Sequence, residues 1–195
     1  MEMMVKKYQQ KFRKVRDEMD RWEQLQSRFI NQFRNASSII QRLPMLGDSK
    51  NYGELAGVHG LKEVLLGKQM ESLGSIFCSM RETLKEFHII VMSLEKIVRD
   101  GNQLLKGGSM QPTTHQMQLR VGIRPSVEDC LDGLKSLHEM HHSEYLVKSS
   151  AFEALTLNSS ASDLGALHQI LVDQPNIPKE EVQFIFNIIF AEEIC

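Results

Sequence analysis

Three histidines, His138, His141 and His142, fall within five residues, and a helix would set the first two one turn apart, near enough to share a metal ion. Zinc takes three or four protein ligands, and neither a close cysteine pair nor an H-E-x-x-H motif supplies the remainder. Amphipathic packing or a surface position accounts for these histidines without a metal. Cys130 precedes His138 by two turns and has no base beside it in sequence, so the activated thiol of a Cys/His nucleophile lacks its partner. The carboxylate pairs Glu128/Asp129, Glu180/Glu181 and Glu192/Glu193 are adjacent, so their members point to different faces of a helix. Solvation, or stabilisation of a helix dipole, is a simpler role for them than acid–base catalysis. No G-x-x-x-x-G-K-[ST], G-x-G-x-x-G or G-x-S-x-G occurs, which leaves no phosphate cradle and no nucleophile elbow. These residues imply no catalytic site, no metal, no cofactor and no small-molecule substrate.

Binding is the remaining chemistry. Lys6, Lys7, Lys11, Arg13, Lys14 and Arg16 could neutralise several phosphates, but Asp17, Glu18 and Asp20 dilute the run. It reads first as the solvated flank of a helix seam and second as an RNA contact. Across the chain, residues 1–43 hold ten Lys/Arg and five Asp/Glu, a balance of +5; residues 44–124 hold ten and eight, +2; residues 125–195 hold three and twelve, −9. The net charge of −2 therefore hides a basic head and an acidic tail, which can face different partners or each other. Cys78, Cys130 and Cys195 are odd in number and widely spaced, which argues for a reducing compartment rather than a disulfide scaffold. The N-terminal residues lack the apolar core of a signal peptide, and the longest apolar candidate, 184–191, is far too short to span a bilayer. A soluble, intracellular protein is expected.

The elements that would carry such contacts are helices. A heptad frame begun at Val5 places Val5, Tyr8, Phe12, Val15, Met19, Trp22, Gln26, Phe29, Phe33, Ala36, Ile40 and Leu43 on one stripe, with largely charged and amide residues between them. Gln26 alone is polar there; it reads first as an exposed gap in the seam and second as a register device. Pro44 and Gly47 should end this helix, and residues 44–60, with four glycines and a proline, read as a loop. A second helix is expected over about 61–105, with Met70, Leu73, Phe77, Met80, Leu84, Phe87, Val91, Leu94 and Val98 in the same spacing. Gly67 and Gly74 each weaken it by about 1 kcal/mol relative to alanine, which permits a bend. The frequent methionines, 11 in all, suit adaptable packing between helices.

A polar linker follows over 106–124. Ser126 with Asp129 three residues on then forms a capping box for a helix carrying Val127, Leu131, Leu134, His138, His141, Tyr145, Phe152 and Leu155 on one stripe. Ser126-Val127-Glu128-Asp129 also fits an acidophilic kinase, which makes Ser126 a candidate phosphorylation site, although capping explains the pattern by itself. Residues 158–162 break the helix, a short one is expected at about 163–172, and 174–178 turn into a last helix begun at Pro178. The expected fold is all-α: a long antiparallel helical hairpin over 1–105, a linker over 106–124, and a group of three shorter helices over 125–195 packing on the hairpin as a helical bundle.

Pro125, Ser126, Val127, Asp129, Leu131 and Leu134, then Tyr145, Leu146 and Lys148, resemble the AIRIM-like family of ribosome-maturation factors, also described as casein kinase II substrates. Asp163, Leu164, Leu167, Ile177, Lys179, Glu181, Gln183, Glu192 and Glu193 continue the likeness, and Leu61-Lys62-Glu63, Lys68-Gln69 and Trp22 extend it upstream. The family's basic stretch around Tyr-Leu-Lys is here the less positive residues 144–150, and the tryptophan that follows it is absent. The resemblance implies a non-catalytic adaptor of the cytoplasm and nucleus. With a companion helical subunit, it would link a hexameric AAA+ ATPase to cytoplasmic pre-60S particles, for large-subunit maturation and factor recycling. It also implies partner binding by Pro125, Ser126, Val127, Asp129, Tyr145, Leu146 and Lys148. Heptads alone would equally suit a generic coiled-coil tether or scaffold subunit of another complex.

Overall fold

A computed structural model describes residues 2–106, 113–120 and 122–194. Every regular element among them is helical: α1 (Glu2–Gly47), a 3₁₀ segment (Ser49–Gly57), α2 (Leu61–Lys106), α3 (Thr114–Gln118), α4 (Val127–Ala154), α5 (Ala161–Asp173), α6 (Lys179–Ile189) and α7 (Ala191–Ile194). The α1 stripe is interior over almost its whole length: Tyr8, Phe12, Trp22, Phe29, Phe33 and Ala36 are at most 1% exposed, and only Met19 and Leu43 are half-buried. In the α2 stripe Leu73, Met80, Leu84, Phe87, Val91 and Leu94 are buried and Phe77 and Val98 half-buried, while Met70 lies 42% exposed, outside it.

Three expectations need correction. Pro44 does not end α1, which continues to Gly47. Proline removes one N–H and crowds the preceding turn, but with only three residues of helix beyond it there is little helix left to disrupt. The segment read as loop after Pro44 carries the 3₁₀ segment, capped by the Asp48 side chain, which accepts from the Lys50 N–H at 3.0 Å. It kinks at Gly53, whose φ of 51° with ψ of −127° suits glycine. The linker likewise contains α3, begun by a capping box in which Thr113 and Gln116 satisfy each other's backbone N–H groups; residues 107–112 and 121 lie outside the described ones. Helix α2 runs unbroken through Gly67 and Gly74.

Two compact units are formed from non-contiguous stretches. The first comprises Met1–Gln24, Phe87–Leu146 and Gln174–Cys195. Here α1 and α2 are antiparallel neighbours: the Tyr8 hydroxyl donates to the Gly101 carbonyl at 2.8 Å, and Ser93 donates to Glu18 at 2.6 Å. Helix α6 covers α1 through Phe12, whose ring meets Phe186 edge-on at 5.9 Å, and Gln9 donates to the Ile189 carbonyl at 3.0 Å. Gly133 lets α4 join them: a Cβ there would stand 3.0 Å from Ile185 Cγ2 and 3.1 Å from Phe12 Cζ.

The second unit comprises Leu25–Glu86 and Val147–Asp173. The helices are again antiparallel, with Arg28 paired to Glu86 and Gln32 donating to Ser79 at 2.7 Å. Phe77 of α2 meets Phe152 of α4 edge-on at 5.8 Å. Arg34 donates to His168 of α5 at 3.1 Å.

Candidate functional site

The N-terminus of α4, in the first unit, holds four of the seven residues expected to bind partners. Ser126 is the N-cap: its hydroxyl accepts from the Asp129 N–H at 3.0 Å, and its own N–H and hydroxyl donate to Asp129 Oδ2, both at 2.7 Å. Arg120 closes on the same carboxylate with both oxygens engaged, Nε to Oδ2 at 2.9 Å and Nη2 to Oδ1 at 2.7 Å. Burial pushes the Asp129 carboxyl up, but the hydrogen bonds from Arg120 and Ser126 outweigh it and hold the group below its ordinary range. Pro125 is buried, and Ser126 and Val127 are 3% and 1% exposed. Arg124 joins the chain's beginning to its end within this unit, pairing with Glu2 at 3.0 Å and with Glu192.

Along α4, Tyr145 is half-buried beside His88, ring centroids 5.2 Å apart, and Leu146 stands 50% exposed. The three histidines take different stations. His141 is 1% exposed, packs edge-on against Trp22 at 4.9 Å, and bonds through Nδ1 to the Leu137 carbonyl at 2.7 Å, so that Nδ1 carries the proton. His138 and His142 stack at 5.9 Å; burial, then the neighbouring imidazole, lowers the His138 pKa. Among the described residues no three His, Cys, Asp or Glu side chains are arranged to hold a metal ion. Cys130 is fully buried, and burial followed by the Asp129 charge raises its thiol to about 12, so the thiolate a nucleophile needs is not formed at neutral pH.

In both units the sequence reading missed or misplaced buried polar groups. In the first unit Trp22 donates through Nε1 to the Gln174 side chain at 2.8 Å, and Gln174 holds a φ of 46°, the one non-glycine positive φ among the described residues. Nearby, Glu144, 0% exposed, accepts from the backbone and side-chain nitrogens of Asn176, each at 3.2 Å. In the second unit Gln26 is 7% exposed rather than a gap: it donates to the Leu171 carbonyl at 2.7 Å and accepts from Lys148 Nζ at 2.7 Å. Lys148, expected at a partner surface, is 0% exposed. Gln26 is therefore a specifically satisfied seam residue. A heptad slip of α1 would set Met19 or Phe33 in its place against the ammonium group. Nothing near Gln26 in sequence announces partners 122 and 145 residues away.

These polar side chains tie helices α1 and α4 to other helices and to the turn at 174–176, and the fold defines an all-α protein with a polar interior. Its family can be stated directly: the profile of the CA109-like family, described as ribosome biogenesis protein C1orf109-like, matches residues 2–194, and the chain belongs to that family. No curated protein matches the sequence. Membership agrees with the likeness seen from Pro125 onward and assigns the chain to ribosome biogenesis. No helix of the described residues is long and apolar enough to cross a membrane.

Proposed function

We propose that this protein is a non-catalytic adaptor which, with a companion helical subunit, places a hexameric AAA+ ATPase on cytoplasmic pre-60S particles so that a maturation factor is released and recycled. The carrying observation is membership, across nearly the whole chain, of a ribosome biogenesis family. The placement of the chemically capable residues supports the reading. Cys130 and His141 are packed inside, and Asp129 is engaged in capping. Pro125, Ser126 and Val127 act in it by holding the start of α4 from within, while Tyr145 and Leu146 of the same unit reach solvent. The protein works in the cytoplasm and nucleus, where such particles mature.

Two measurements test the proposal. Cells lacking the protein should retain maturation factors on cytoplasmic pre-60S particles, and the tagged protein should co-purify with an AAA+ ATPase and large-subunit assembly factors. Normal factor recycling in its absence would sink the adaptor reading. Recovery of only the protein itself, or of cytoskeletal tethers, would favour a generic coiled-coil scaffold.

A further inference from the structure

Helix α6 is apolar on two sides. Val182, Phe186 and Ile189 are turned inward and are 9% exposed or less. Phe184, however, is 63% exposed, and Ile185 and Ile188 are half-buried, so a second stripe at i, i+1 and i+4 faces outward. A surface helix ordinarily shows one apolar stripe with a polar face opposite; a second one marks a missing neighbour. This stripe lines a groove between α4 and α6 that also includes Gly133, Asp132 and Glu181. Gly133 lets Ile185 press on the α4 backbone and so fixes the spacing of the two walls.

We propose that this α4/α6 groove is the docking site for a partner's amphipathic helix that presents aliphatic or aromatic side chains flanked by lysine and arginine. The inference deepens the adaptor reading, on which it rests for the existence of such a partner. Charge selects the occupant. Asp132 is 62% exposed and meets Lys135 in a solvent-screened surface contact at 3.2 Å, and Glu181 is exposed beside Glu180. A second copy docking through the same face would bring a second Asp132 and Glu181 to an already acidic rim, because a two-fold contact uses one patch twice. An apolar helix with basic flanks fills the groove by the i, i+3, i+4 anchoring of helix-in-groove recognition and meets the carboxylates at its edges.

The probe is a synthetic 18-residue helical peptide with leucines at i, i+3, i+4 and i+7 and lysine and arginine flanks, beside a twin with glutamate flanks. Fluorescence anisotropy on the full chain should show the basic peptide binding, more weakly at high salt, and the acidic twin failing to bind. Phe184→Glu, and separately Asp132→Lys with Glu181→Lys, should each weaken binding by at least about tenfold. These positions are exposed, so helix content and melting temperature should stay at wild-type values. Equal binding of both peptides, wild-type affinity in the variants, or Phe184-dependent dimers in sedimentation would overturn the inference. In cells lacking the protein, full rescue of factor recycling by the Phe184→Glu chain would overturn the groove and leave the adaptor reading standing. Normal recycling without any rescue would instead remove the adaptor reading itself.

Discussion

Gly74→Ala and Gly133→Ala add the same methyl group to the interior of a helix in two different surroundings. In each, alanine gains about 1 kcal/mol of helix propensity over glycine. At Gly74 the new carbon meets nothing within 4 Å, so the gain is realised in full, and the melting temperature should rise by about 2–4 °C. At Gly133 the carbon would stand 3.0 Å from Ile185 Cγ2 and 3.1 Å from Phe12 Cζ. Phe12 is 0% exposed and its ring is held edge-on against Phe186, so it has little room to yield. Overpacking of this kind costs about 1–3 kcal/mol, which cancels or exceeds the propensity gain and leaves the variant up to about 2 kcal/mol less stable than wild type. Propensity is common to both substitutions, so the difference between the two measured values isolates the packing cost. Urea unfolding followed by circular dichroism measures it, with an unchanged slope showing that the unfolded state is not at issue. If Gly133→Ala stabilises the protein as much as Gly74→Ala, the tight approach of α4 to α1 and α6 is refuted.

Gln26→Leu removes one acceptor of a buried ammonium group and the donor to the Leu171 carbonyl, and should cost about 1–3 kcal/mol. Combined with Lys148→Met, it should depart from additivity by at least about 0.5 kcal/mol in a double-mutant cycle, and strict additivity would deny the pairing. Asp129 ionises more readily in the fold than in the unfolded chain. Its contribution is therefore complete above the ordinary carboxyl value of 3.8 and is lost as pH falls through the lower folded value. Asp129→Asn should melt below wild type at pH 7, with the gap closing in acid; a gap constant across a pH series of melting curves would contradict the cap geometry.

Much of this fold was legible because it is periodic. The stripe from Val5 to Leu43 is the buried face of α1 because a spacing of three and four can serve only a helix with one covered side. Ser126 with Asp129 located the start of α4 for an equally local reason, since a cap needs only the residues of its own first turn. The same signal was present at Ser160 and Asp163, which cap α5 by the same bonds, and at Thr113 and Gln116 before α3. Pro44 misled because its penalty depends on how much helix remains beyond it, and there only three residues do. Lys148 and Leu146 are two positions apart in a segment that looked uniformly surface-like, yet one is fully buried and the other half exposed. The spacing of α4 already puts Lys148 on the stripe with His141, Tyr145, Phe152 and Leu155; what no local pattern encodes is its bond to a glutamine 122 residues upstream.

Trp22 has consequences for the order in which the molecule is made. Its ring touches Phe87 and His141, and its indole nitrogen bonds to Gln174, 152 residues later in the chain. Synthesis at about 5–20 residues per second spends roughly 8–30 s between Trp22 and Gln174. During that interval the basic head has left the ribosome while the stretch that completes its unit has not. Phe12 and Gln9 wait longer still, for Phe186 and Ile189. A nascent chain can cover part of the α1 stripe once α2 has been made, but Trp22, Phe12 and Gln9 lack these last partners until the acidic tail emerges. Its first unit can close only once the acidic tail has been made.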